Sequence, residues 1–85
     1  MTVEDKRVAR LIERDLHRFQ SIDVSDATVQ VFHGTGYVGG IIRPAFGLFN
    51  LSMKEEVRIL IESARKIPGL KSLVIDAKIE DVPKK

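Results

Sequence analysis

The order of predicted elements, helix-strand-strand-helix-strand, points to a small α/β (α+β) two-layer sandwich. A three-stranded mixed sheet would be covered on one side by two helices. Three observations predict this. Two segments carry apolar residues at helical spacing. A nearly charge-free stretch between them alternates like a hairpin around a glycine turn. A final apolar alternation follows a Pro-Gly break. The chain has 85 residues, 44% apolar and 31% charged, with no cysteine and two histidines. That is one domain, residues 1–80 by this reading, with 81–85 a flexible polar tail. A disulfide framework, a thiolate metal site and a two-domain cleft are excluded.

Residues 2–19 read as the first helix. Thr2 and Asp5 resemble a capping box. Val8, Ala9, Leu11, Ile12, Leu16 and Phe19 fall mainly on one side. Lys6, Arg7, Arg10, Arg14, His17 and Arg18 lie opposite, with Glu4, Glu13 and Asp15 at the edges. Residues 21–26 hold two Ser and two Asp and read as a loop.

Residues 28–33 alternate and are β-branched, as a half-buried strand should be. His33-Gly34-Thr35-Gly36 supplies turn residues, and 37–42 resumes as the second strand of a hairpin. The Gly39-Gly40 pair inside it marks a bulge or a close backbone approach. The alternation is expected to bury at least one of Phe32 and Tyr37. Arg43-Pro44 ends the strand, because proline cannot donate to a ladder. Ser52 and Glu55 form a capping box for a second helix reaching about Ile67. Pro68-Gly69 stops it, and 70–79 is the third strand, reached through a helical crossover and so parallel to a neighbour.

The spacing Val29-x-Val31-x-x-Gly34, then Val38-x-Gly40, then Glu55 to Ala64, then Lys66-Ile67-Pro68-Gly69-Leu70-x-x-Leu73 resembles the BON domain family. Gly34, Gly40, Pro68 and Gly69 stand where that family has its structural turn residues. The resemblance spans the whole chain. The sequence differs from the pattern at Thr35-Gly36 and in a longer link between Gly40 and the second helix. The resemblance implies a non-catalytic module of bacterial osmotic-stress and membrane-associated proteins, one that binds phospholipid or attaches other domains to membranes.

The residues suggest where such contact would occur. Positions 27–51 hold one charge, Arg43, with five of the six glycines and four of the five aromatics. Within them, Arg43, Phe46, Leu48 and Phe49 set an apolar loop beside a cation. Such a loop can insert below lipid headgroups while the cation meets a phosphate. Folding back over the core and self-association are the other two readings of the same loop. Arg7, Arg10, Arg14 and Arg18 offer a basic helix face for anionic lipid, or an ordinary solvated face.

Gly34-x-Gly36-x-x-Gly39 has the phosphate-cradling spacing but opens a strand instead of a helix, so it reads as a hairpin. Glu13 and His17 are an ordinary helical pair. Neither an enzyme, nor a cofactor, nor a metal is expected. The expected partners are an anionic membrane surface, another protein or a second copy of the chain, and no nucleic acid. The start MTVEDKR is not a secretory leader. A complete chain is expected in the cytoplasm, and one cut from an exported protein in the periplasm.

Overall fold

The Thr2 hydroxyl accepts the Asp5 N–H at 3.0 Å, and the Asp5 carboxylate accepts the Thr2 N–H at 3.5 Å. This reciprocal cap starts α1, Val3–Arg18. The computed structural model describes residues 2–48 and 50–83. After α1 come β1 (Ile22–Asp23), β2 (Ala27–Phe32), β3 (Thr35–Pro44), α2 (Met53–Ala64), β4 (Ser72–Ile75) and β5 (Lys78–Ile79). The Ser52 hydroxyl caps α2 by accepting the Glu55 N–H at 3.4 Å. α2 ends three residues before the expected Ile67, because the chain tightens there. Lys66 and Ile67 donate to Ser63 and Ala64, three residues back.

The described residues form a small α+β fold with two helices and a five-stranded sheet. Every other strand pairs with β3. β1 and β2 lie antiparallel to it, and β4 and β5 parallel. The sheet therefore has five short strands where three were expected, and the reasons are local. On the antiparallel side, Asp23 opposes Arg43 while Ala27 opposes Gly40, so four steps of one strand face three of the other. That bulge separates β1 from β2. On the parallel side, Asp76-Ala77 interrupts the strand without a slip. Every pair from Thr35↔Ser72 to Ile42↔Ile79 keeps the same offset.

The hairpin between β2 and β3 turns on two residues, His33 (φ 52) and Gly34 (φ 84). Two successive positive φ values are what a type I′ turn requires. One core joins Val8, Ala9, Ile12 and Leu16 of α1 to Met53, Leu60 and Ala64 of α2, over Val31, Val38 and Ile42 of the sheet. The helices run in opposite directions. Asp15 takes the Ser63 hydroxyl at 2.9 Å, and Ser21, beyond α1, donates to Glu56 at 2.9 Å. Glu80, the last residue of the domain by the sequence reading, is held to the sheet, and the expected tail begins anchored. The Glu80 N–H donates to the Ile42 carbonyl at 2.9 Å, and Pro83 is buried. Lys84 and Lys85 lie outside the described residues.

Asp5 ties the helix start to the hairpin. Its buried carboxylate also accepts the N–H groups of His33 at 3.2 Å and Gly34 at 3.3 Å. Burial pushes its pKa up, but the N–H groups of His33, Gly34 and Thr2 outweigh this and hold it below the usual aspartate value. A lowered carboxylate pKa gives stability that is complete above the unfolded value and is lost as pH falls through the folded one. Asp5→Asn is expected to lower Tm at pH 7 by roughly 5 °C. It should also flatten the fall in Tm below about pH 4, where the wild type loses this contribution. Calorimetry from pH 7 to pH 2.5 checks it; an unchanged acid limb would remove Asp5 as the tie.

Candidate functional site

The link from β3 to α2 is anchored at both ends. Pro44 opposes Ile22, the Ala45 N–H donates to Ser21 at 2.9 Å, and Leu51 packs on the core. Between these anchors a tight turn projects outward, closed by the Leu48 N–H on the Ala45 carbonyl at 3.0 Å. Phe46 at its tip is 88% exposed, and Gly47 and Leu48 are exposed beside it. Phe46 therefore does not fold back over the sheet. Phe49 lies outside the described residues.

Arg43 is not the free cation expected beside this loop. It is 7% exposed and held by carboxylates. One guanidinium nitrogen lies 2.7 Å from Asp26 and 4.0 Å from Asp23, and Nε lies 3.2 Å from Glu80. The hydrogen bond to Asp26 raises its pKa above the ordinary guanidinium value, against the opposing effect of burial, with Glu80 adding to the rise. The register explains the arrangement. Arg43 opposes Asp23 on one side of β3, and one step past Ile42↔Ile79 it meets Glu80 on the other. Its charge is spent inside the protein, so it offers nothing to a headgroup.

The basic face of α1 divides. Arg7 pairs with Glu4, and the pair lies over Gly69. Arg18 pairs with Asp15 at 3.5 Å. Arg10 and Arg14 are exposed, with no ion-pair partner among the described residues. The fold brings Arg14 and Arg18 together with Lys66, just past α2. These three cations line a cleft of about 310 Å³ whose apolar wall is Leu11, Ile67 and Pro68. Asp15 is the acid in it, occupied by the Ser63 hydroxyl and by Arg18. Sequence reasoning missed Lys66. Its signal was the Lys-Ile-Pro-Gly stop, which brings the end of α2 back against α1.

Of the glycines read as structural turn residues, Gly34 lies in the β2–β3 turn, Gly40 lies inside β3 at its bulge, and Gly69 follows α2. Gly34, Gly40 and Gly69 all have positive φ, and Pro68-Gly69 leads into the parallel strands. The expectation that strand alternation buries Phe32 or Tyr37 is overturned. They are 47% and 41% exposed, with ring centroids 6.3 Å apart and tilted by 56°. The two-residue turn sets Phe32 opposite Thr35, two residues before Tyr37, so both rings fall on one face. That face, with exposed Gln30 and Val74 in register with Tyr37, lies away from the helices. It is a second candidate surface that the sequence did not disclose.

Among the described residues, no three His, Cys, Asp or Glu side chains are grouped to hold a metal. No helix of the described residues is long and apolar enough to cross a membrane. Compared with known proteins, the sequence matches no family model and no curated protein.

Proposed function

We propose that this chain is a non-catalytic, BON-like binding module that contacts anionic phospholipid surfaces, or attaches a partner to them. In this reading the five strands are three interrupted ones, in the α-β-β-α-β order of that family. The observation that carries the proposal is Phe46, 88% exposed at the tip of an anchored turn. An exposed phenylalanine held by a fixed backbone loses little freedom on insertion, and burying it contributes about 1.5–3 kcal/mol. Arg14, Arg18 and Lys66 supply the cationic contact that Arg43 does not. Each basic residue near an anionic surface adds about 1 kcal/mol. The sum, about 4.5–6 kcal/mol, corresponds to a Kd of roughly 0.04–0.5 mM for one copy, so firm attachment calls for several copies or a second contact.

Co-sedimentation with phosphatidylglycerol and phosphatidylcholine vesicles tests it. Wild type is expected on the anionic vesicles only. Phe46→Ser should weaken that binding roughly tenfold or more, and Arg14→Glu with Lys66→Glu, which removes two cations, should reduce it roughly thirtyfold or more. Equal retention on anionic and neutral vesicles removes the lipid reading.

The Phe32–Tyr37 face favours a second reading, self-association through the open side of the sheet. Light scattering separates the two. A monomer at high protein concentration, unchanged by Tyr37→Ser, counts against self-association and leaves the vesicle result untouched.

A further inference from the structure

β4 pairs with β3 on one side and with no second strand among the described residues. Beside its free edge runs a groove of about 270 Å³ lined by Ile61, Arg65, Leu70, Lys71, Ser72 and Leu73. Ile61, Leu70 and Leu73 are half-buried, and Arg65 and Lys71 are exposed. Among the described residues no acid lines the groove. Lys71 is fixed at its root, since its N–H donates to the Gly34 carbonyl at 2.7 Å and its stem lies against Gly34. Arg65 meets Glu62 at 3.3 Å in an exposed pair, which a better-placed carboxylate can replace.

An edge strand next to a helix groove is the geometry of strand addition. Main-chain hydrogen bonds hold the added segment, and pockets for alternate side chains choose it. Folded proteins usually block such edges with charge or proline, and Ser72-Leu73-Val74-Ile75 carries neither. The sign of the lining selects the ligand. The other groove beside a sheet edge, between α1 and β2, carries Glu13 with His17 and has no comparable positive lining.

We propose that the β4 edge and α2 together receive an extended acidic peptide. Its groove-side residues are an apolar side chain between two carboxylates, in the pattern Glu-x-Val-x-Glu. The valine packs on Ile61, Leu70 and Leu73, and the glutamates meet Lys71 and Arg65. This site is separate from the lipid-contacting residues, so the vesicle results do not bear on it.

The probe is fluorescein-labelled Thr-Glu-Thr-Val-Thr-Glu-Thr, symmetric so that either strand direction can be taken. Binding to the whole protein is followed by anisotropy and mapped by amide NMR shifts. Shifts are expected at 70–75. The lysine-substituted peptide should not bind, and Arg65→Glu with Lys71→Glu should weaken binding about tenfold. N-methylating one alternate set of peptide amides should abolish binding, and methylating the other set should leave it intact. That asymmetry marks strand addition without altering the protein. No binding up to about 1 mM peptide overturns the proposal. So do shifts that map to 27–32, tolerance of both N-methyl sets, or light scattering showing a second copy on this edge.

Discussion

Gly40→Ala is expected to leave the protein unfolded. A Cβ at this position would sit 2.1 Å from the Asp26 carbonyl oxygen and 3.1 Å from the Ala27 Cα, with φ at +83°. That oxygen cannot retreat freely, because it accepts the Ile41 N–H at 3.1 Å within the bulge. The bulge in turn phases Asp23 against Arg43. Relief of the clash therefore shifts the register of β1 or breaks the ladder of β2. A cost above about 4 kcal/mol is expected, comparable to the whole stability of a domain this small. Gly47→Ala is the matched control. Its φ is +87°, but nothing lies within 4 Å of the added carbon, so only the backbone cost of about 1–2 kcal/mol applies. Circular dichroism and urea titration of the two variants make the comparison. A cooperative Gly40→Ala transition at the wild-type midpoint would show that the bulge is not a fixed part of the fold.

Arg43→Met is expected to lower Tm by roughly 10 °C at pH 7. The methionine keeps most of the buried volume. It leaves Asp23, Asp26 and Glu80 gathered around a site with no positive charge. Mutual repulsion of carboxylates and their lost hydrogen bonds then oppose folding. Salt screens the repulsion, so the gap between variant and wild type should narrow at high ionic strength. Calorimetry at low and high salt measures this. Below the variant's melting temperature its vesicle binding should equal that of wild type, since Arg43 does not face the loop. An undiminished Tm at pH 7 would mean that the ion cluster contributes nothing to stability.

Local signals carried the helices and the hairpin. Thr2 with Asp5 and Ser52 with Glu55 start the helices, and both caps act within three residues. His33-Gly34 makes the tight turn for the same reason, since the φ values belong to those two residues alone. The site was less legible, because it depends on contacts between distant residues. Arg43 finds Asp26 at a separation of 17 residues and Glu80 at 37. Nothing in its neighbours shows that it will be neutralised. The parity of Phe32 and Tyr37 hinged on whether the turn held two residues or more. A one-residue change would move one ring to the opposite face. Phe46 stood in a loop whose composition suited a core and a surface equally. Only the anchors at Pro44 and Leu51 decide that it points outward.

The central position of β3 also bears on how the chain emerges during synthesis. Its antiparallel partners precede it, so one side can be satisfied as soon as Pro44 has been made. Its parallel partners begin only at Ser72, after α2. Through that interval the nascent chain presents one open edge of β3, which carries Val38, Ile41 and Ile42, the kind of edge that other unfinished chains can join. Slow translation through α2 would lengthen the exposure. The helix crossover thus sets a vulnerable period in biogenesis that the finished fold no longer shows.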